Sequence, residues 1–452
     1  MQSTISRFCA ANVVILREIN QIVTEPYMDE PFHVPQAQAY CQGEWSTWDP
    51  KITTPPGLYI MSILLSKLFL FKCNLSILRL TPLVTLLSLP LILTRLLSLQ
   101  RRVRPPRELF SPTVDAIALS LFPIAWFFGF LYYTDVPSLA FVVATVVAAL
   151  RGRHGLAALL GLVSCTFRQT NIIWVLYAFA YSQLKDLQFR LSSKSPVLYD
   201  PSALTALPSD WMKIVASLPR AIPEVLPHAA PYALDALVFA VFVYYNGGVV
   251  LGDKSNHVPS LHVPQLYYFI GFATVFGWPV LASVPGGPLG LLGDVKNRMF
   301  GSKSRTAISV AVTVVIGVTI HLFTIHHPFL LSDNRHYTFY IWRRVFRFHE
   351  VVPYLFSPGY LACAWAWYLR VGANQTLLQT LALPLFAAPT LFLTPLLEPR
   401  YFLIPYVLLR AQVVDMPEWM VWLEAGWYTL LNWGAMYVFL YMEREGVGRF
   451  MW

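Results

Sequence analysis

The chain has 452 residues, 56% of them hydrophobic and only 13% charged, with a net charge of +9. A soluble domain needs roughly a quarter of its residues charged, so these figures exclude an ordinary soluble protein. The basic residues gather in short clusters at the ends of apolar runs rather than in one stripe, which excludes nucleic acid as the partner.

Apolar runs of about 20 residues cross a bilayer as α-helices, and only helices satisfy the backbone there segment by segment. The fold class expected is therefore all-α: a polytopic transmembrane helical protein, read as a single membrane domain over 1–452. The first span is 4–23, a polar one interrupted by Arg17 and Glu18. No cleavable signal precedes it, so it is expected to act as its own anchor. Clear spans follow at 77–99, 115–133, 135–150, 231–251, 263–283, 306–326, 377–397 and 416–440. Weaker segments lie at 155–183, as one long or two short helices, and at 354–370 and 400–413. The segment 184–230, rich in Ser, Pro and Leu, reads as a cytosolic connection.

Basic clusters at Arg101, Arg102, Arg104 and Arg107, at Arg151 and Arg153, and at Lys296, Arg298, Lys303 and Arg305 are assigned to the cytosol by the positive-inside rule. The loop after the first span is acidic, with Glu25, Asp29, Glu30, Glu44 and Asp49 against Lys51, and is assigned to the lumen. Were 56–72 to cross as well, the Arg101 cluster would become lumenal. That segment is therefore expected to lie on the lumenal surface, giving a first lumenal loop of 24–75. Cys41 and Cys73 share this loop, but sequence says nothing of their geometry and the expectation is that they stay unpaired. The five cysteines show no metal-ligand spacing.

Charged and aromatic residues concentrate at a few points. Asp29 and Glu30 stand beside the first span with His33 three residues on, and a carboxylate facing a sugar hydroxyl acts as a general base. Acids beside a span also serve plain topology. Tyr40, Trp45 and Trp48 offer faces for sugar rings, while Asp49 and Lys51 add polar groups. Tyr132, Tyr133 and Asp135 close a short turn, either as a binding edge or as an interfacial belt with a helix cap. Arg168, Gln169 and Asn171 interrupt an apolar stretch, and polar groups at such depth face a cavity or a partner. Asn334, Arg335 and His336, with Arg343, Arg344 and Arg347 beyond, are placed on the lumenal side if 306–326 runs upward, which breaks the charge rule and suits a phosphate. Arg400, followed by Tyr401, either clamps a phosphate or pairs with Glu398. Two sequons, Asn74-Leu-Ser and Asn374-Gln-Thr, fall on the lumenal and cytosolic sides of this topology.

Six blocks in order, YMDEPFHVPQAQAYCQGEWSTWDPKITTPPGLY, FLYYTDVPS, FRQTNIIWV, YNGGVVLGDKSNH, HPFLLSDNRHYTFYIWRRV and LLEPRYFLIPY, resemble one family over residues 26 to about 406. It is the endoplasmic-reticulum α-1,2-glucosyltransferases that add the last glucose to the lipid-linked oligosaccharide for N-glycosylation. The resemblance implies a GT-C-type architecture with a catalytic acid in the first lumenal loop. It implies dolichyl-phosphate β-glucose as donor, the diglucosylated dolichyl-diphosphate oligosaccharide as acceptor, and a bilayer around an active site that faces the lumen. An α product from a β donor needs one inverting displacement. The base is then Asp29 or Glu30. His33, Trp48, Asp49, Lys51, Tyr133, Asp135, Arg168, Asn171, Asn334, Arg335, His336, Arg400 and Tyr401 are the substrate-binding candidates, with the arginines and His336 on phosphate. No cofactor is expected, and whether a divalent metal is needed stays open. The rivals are a mannosyltransferase using the same carrier chemistry and a secondary transporter. The absence of repeated halves speaks against the transporter.

Overall fold

The structure is a computed structural model that describes residues 2–189, 197–252, 254 and 260–452. Among the described residues it is helical throughout, with isolated bridges but no strand. Three helices are long and apolar enough to cross a membrane: Leu75–Arg101, Asp210–Asn246 and Lys303–Phe323. Shorter apolar helices are Gly57–Phe69, Asp135–Leu150, His154–Cys165 and Leu377–Phe392. Chain composition and helix content together make this an all-α polytopic membrane protein.

The chain forms two compact units. The first comprises Met1–Gln183, Val225–Val258 and Tyr428–Tyr441. Its helix Gln2–Ile22 leads into the acidic loop, which folds into a helix Glu30–Cys41 and then a helix Gly57–Phe69. Pro31 occupies the first turn of the loop helix, where its missing N–H costs nothing. The 13-residue helix Gly57–Phe69 is too short to span a hydrocarbon core. Leu70 ends it in the left-handed region at φ 55°. Asn74 then caps the next helix by accepting from the Ile77 N–H at 3.0 Å, so the first sequon asparagine has a helix-capping role. Val34, Leu58, Tyr59, Ile63, Leu78, Tyr132 and Phe167 pack together as a buried core beneath the loop.

The second unit comprises Leu184–Glu224, Pro259–Trp427 and Met442–Trp452. Helices Pro264–Phe276, Lys303–Phe323, Ser357–Gly372, Leu377–Phe392 and Leu403–Ala411 build it. Two arginines are internal struts. Arg410 and Glu424 pair at 2.7 Å with both side chains sealed from solvent, and Arg370 binds Asp415 at 2.6 Å and the Val280 carbonyl at 3.1 Å.

Three expectations are corrected and one open alternative is resolved. Residues 115–133 form two short helices, Val114–Ser120 and Pro123–Phe128, because Pro123 has no N–H with which to continue the first. The helix expected at 231–251 begins at Asp210, so much of the supposed connection 184–230 is helical. Of the two alternatives for 155–183, one long helix or two short ones, the structure has two, His154–Cys165 and Asn171–Phe189. Cys41 and Cys73, expected unpaired, form a disulfide whose Cα atoms stand 6.5 Å apart. The helix Glu30–Cys41 and the turn ahead of Leu75 bring together two residues that are 32 apart in sequence.

Candidate active site

The first loop is built around one buried ion pair. Glu30 and Arg79 meet at 2.6 Å, and neither side chain is exposed at all. Both carboxylate oxygens are fully used. Glu30 Oε1 accepts from Arg79 Nε and the Tyr132 N–H, each at 2.8 Å, while Oε2 accepts from an Arg79 Nη at 2.6 Å and the Tyr27 N–H at 3.0 Å. Arg79 also donates to the Asn20 side chain and the Val23 carbonyl. One guanidinium thus ties the end of the first helix, the loop helix and the 132 turn to the start of the next span. A carboxylate saturated in this way has no lone pair left to receive a proton from a substrate.

Asp29 is differently placed. It begins the loop helix without capping it through its side chain, and it is half-buried. Met28 just before it sits at φ 61°, a strained conformation for a non-glycine residue. Such strain persists only where the surroundings enforce it, and it concentrates at functional sites. Here the enforcement is visible: the Asp29 N–H donates to the Tyr133 hydroxyl at 3.0 Å, and its carbonyl accepts from the His33 N–H. Asp29 and His33, four residues apart, lie on one helical face.

The aromatic floor forms next to them. His33 Nδ1 lies 2.6 Å from the Tyr59 hydroxyl. Trp48 and Tyr40 each meet the Tyr59 ring edge-on, with centroids 6.2 and 5.9 Å away. Burial and the neighbouring Tyr132, Tyr40 and Asp49 push the Tyr59 phenol well above its ordinary pKa. Gln36 fastens the Trp48–Asp49 turn to the loop helix. It accepts from the Asp49 N–H at 2.8 Å and donates to the Thr47 carbonyl at 2.7 Å. Lys51 lies over the Phe32 ring at 5.1 Å.

The next two motifs are stapled to each other and to this loop. Asp135 and Arg168 pair at 2.7 Å, and the Asn171 amide donates to the Ser138 hydroxyl and the Ser164 carbonyl. Gln169 donates to the Thr53 carbonyl at 2.7 Å, and the Gly57 N–H to the Thr166 carbonyl at 2.9 Å. A side chain at Gly57 would put its Cβ 2.3 Å from the Thr166 hydroxyl, so only glycine permits this approach. Asp29, Glu30, His33, Trp48, Asp49, Lys51, Tyr133, Asp135, Arg168 and Asn171 therefore all fall in the first unit, around the loop.

The remaining candidates belong to the second unit. Arg335 turns its fork back on Asp333, with bonds of 2.9 and 2.7 Å. Burial alone would raise the Asp333 carboxyl, but those bonds hold it below its ordinary value. His336 Nδ1 lies 2.8 Å from the Trp452 carbonyl oxygen, and the Met451 N–H donates to the Arg335 carbonyl. Asn334, between them, is half-buried. Arg343 and Arg344 lie over the Phe339 and Tyr340 rings around a π-helical turn, Trp342–Phe346. Arg400 pairs with Glu398 at 2.7 Å, and Tyr401 follows in a 3₁₀ turn. In the fourth block, Asp253 and residues 255–257 lie outside the described residues. Among the described residues no group of three or more His, Cys, Asp or Glu side chains is arranged to hold a metal ion.

Sequence reasoning missed Arg79, Gln36 and Tyr59. Arg79 carried a usable signal, a lone arginine at the mouth of an apolar span, since an ionisable group there demands a partner. Gln36 and Tyr59 carried none, because their partners lie in other elements.

Residues 23–411 match the DIE2/ALG10 family. A mouse protein is 34% identical, over 97% of this chain and 96% of its own. A Drosophila melanogaster protein is 35% identical over 92% and 90%, and one from Arabidopsis thaliana 32% identical over 96% of each. Each of the three is named a Dol-P-Glc:Glc(2)Man(9)GlcNAc(2)-PP-Dol alpha-1,2-glucosyltransferase. No solved structure matches the chain. With a match that runs through every motif of the loop, the turns and the arginine segment, the chain belongs to the DIE2/ALG10 family.

Proposed function

We propose that the chain transfers glucose from dolichyl-phosphate β-glucose to the diglucosylated dolichyl-diphosphate oligosaccharide, the α-1,2 step of N-glycan precursor assembly. The observation that carries this reading is the similarity to transferases so named, which extends over nearly the whole of both chains. Asp29 takes the proton from the attacking 2-hydroxyl. That oxygen bonds to the anomeric carbon as the bond to phosphate breaks, and dolichyl phosphate leaves with the electron pair. One such displacement inverts the β donor to an α product. The four hydrogen bonds on the Glu30 carboxylate favour Asp29 as the base and give Glu30 the part of holding the loop.

The aromatic floor at Trp48 receives a sugar ring, and His33, Asp49, Lys51, Tyr133, Asp135, Arg168 and Asn171 orient substrate or the residues that touch it. Asn334, Arg335, His336, Arg400 and Tyr401 serve the phosphate, by exchange of the Asp333 and Glu398 contacts for phosphate oxygens. Phosphate leaves without an acid, so a metal is optional for departure. The architecture is GT-C-type and the membrane is that of the endoplasmic reticulum. The first loop faces the lumen, a reading supported by the Cys41–Cys73 disulfide, since such bonds persist in oxidising compartments.

The test is transfer by purified protein from dolichyl-phosphate-glucose to the diglucosylated lipid-linked acceptor, read by mass spectrometry and an α-specific glucosidase. A gain of one α-linked hexose, with and without chelator, supports the proposal. Transfer from the mannose donor alone overturns it.

A further inference from the structure

The segment that carries Arg400 is held by one face of a neighbouring helix. The helix Leu377–Phe392 ends at Phe392, and the chain then runs irregularly to the 3₁₀ turn Pro399–Phe402. Carbonyls at and beyond a helix end have no partner within it, and in apolar surroundings each must find a donor elsewhere. Four of them find it at residues 262–265. The His262 N–H donates to the Phe392 carbonyl at 2.7 Å, and His262 Nδ1 lies 3.2 Å from the Pro395 carbonyl oxygen. Gln265 Nε2 donates to the Thr394 carbonyl at 3.1 Å and to the Leu396 carbonyl at 2.7 Å. A carbonyl only accepts, so His262 Nδ1 bears its proton and the Gln265 amide turns its nitrogen toward the segment. Both side chains are sealed, at 0% exposure. Further along the same helix, Phe269 and Phe272 pack on the Phe402 ring, with centroids 5.6 and 5.2 Å away. Gln265, Phe269 and Phe272 follow one another at helical spacing and form one stripe of the helix Pro264–Phe276. The Glu398–Arg400 pair stands between these two anchor points.

We propose that Gln265 and His262 are positioning residues that hold the Arg400 backbone in place for a lipid-linked phosphate. The inference rests on the phosphate role given to Arg400 above, and it makes the helix Pro264–Phe276 the template of that contact. Sealed as they are, neither side chain touches substrate, and both act through Arg400. A guanidinium that trades a carboxylate for a phosphate oxygen keeps its planar fork aligned only if the backbone beneath it stays fixed.

The test is binding of dolichyl phosphate to the purified protein, read by native mass spectrometry, together with transfer kinetics. Gln265→Met keeps the length of the side chain but donates to neither carbonyl, and Arg400→Ala removes the guanidinium. Each should weaken binding by roughly tenfold, the scale of one bond to a charged group. The double variant should bind no more weakly than Arg400→Ala alone, because two changes that act through one contact do not add. Ser309→Ala loses a buried bond to the Met299 carbonyl elsewhere in the same unit, and should bind as wild type does even where it melts earlier. Full additivity in the double variant, wild-type affinity in Gln265→Met, or an equal loss in Ser309→Ala overturns the proposal. Should Gln265→Met fail to fold, His262 decides. An Asn side chain sets an N–H near the position of Nδ1 and Gln sets it near Nε2. His262→Asn should therefore bind as wild type does, while His262→Gln binds roughly tenfold more weakly. Equal affinity in these two overturns the proposal. In transfer, a rise in KM for the glucose donor assigns the phosphate to the donor, and a rise for the oligosaccharide assigns it to the acceptor. If wild type transfers no glucose, the transfer reading falls while the binding series still decides the positioning role. If Arg400→Ala binds as wild type does, the phosphate role of Arg400 falls and the positioning role with it.

Discussion

At the scale of single residues, two adjacent acids have opposite fates. Asp29→Asn is expected to lower turnover by at least ~100-fold while leaving the melting temperature near wild type, as removal of a general base does. Glu30→Gln should do the reverse in order of cause. It strands the Arg79 charge inside the protein, which costs about 3–5 kcal/mol, and the melting temperature in detergent should drop before any kinetic effect is read. A Glu30→Gln protein that melts like wild type would contradict this account of the pair. The sequence placed both carboxylates beside a membrane-spanning segment but gave no ground for choosing between them. The choice depends on Arg79, 49 residues away, and on N–H groups of Tyr27 and Tyr132. Arg335 and Arg400 were legible as a cationic set, and Glu398 was already weighed as a partner for Arg400. The nearby Asp333 had not been weighed for Arg335, although the two stand only two residues apart.

At the scale of elements, local rules read well where a helix stands alone and poorly where packing decides. A helix at 56–72 was expected, and Gly57–Phe69 is helical. The break at 121–123 was visible as a proline, yet the surrounding apolar run outweighed it. The disulfide was illegible because it depends on where two distant turns end. Closing a loop of 32 residues removes freedom from the unfolded chain worth roughly 3–4 kcal/mol in the entropy model. Reductant should therefore lower the melting temperature of wild type and leave that of a Cys41→Ser/Cys73→Ser protein unmoved. Gly57→Ala tests the junction between the helix Gly57–Phe69 and the 166 turn. Its Cβ would lie 2.6 Å from the Thr166 carbonyl oxygen, which is backbone and cannot rotate away. A loss of about 1–3 kcal/mol is expected, seen as earlier unfolding. Unchanged melting would mean that the two elements separate freely.

At the scale of the whole chain, neither compact unit is a continuous stretch. Each is assembled from three separate stretches, and the last 25 residues contribute to both. Truncation near the carboxyl end should thus act far from the cut. Removing 449–452 takes away the bond on the Arg335 carbonyl, the Nδ1 contact of His336 and the rings of Phe450 and Trp452 that pack on Tyr337. The expected outcome is a donor KM raised by about tenfold with kcat less affected, measured in the transfer assay. A loss of kcat at constant KM would place the effect elsewhere. None of this interleaving was legible in the sequence, which shows spans in order but not which of them associate.

The bond from His336 to Trp452 joins residues 116 apart. During synthesis the arginine-rich segment leaves the ribosome long before the strip of chain that completes it. Its folded shape therefore depends on chain made 116 residues later. A chain cut a few residues before Trp452 would therefore lack a finished segment at Arg335.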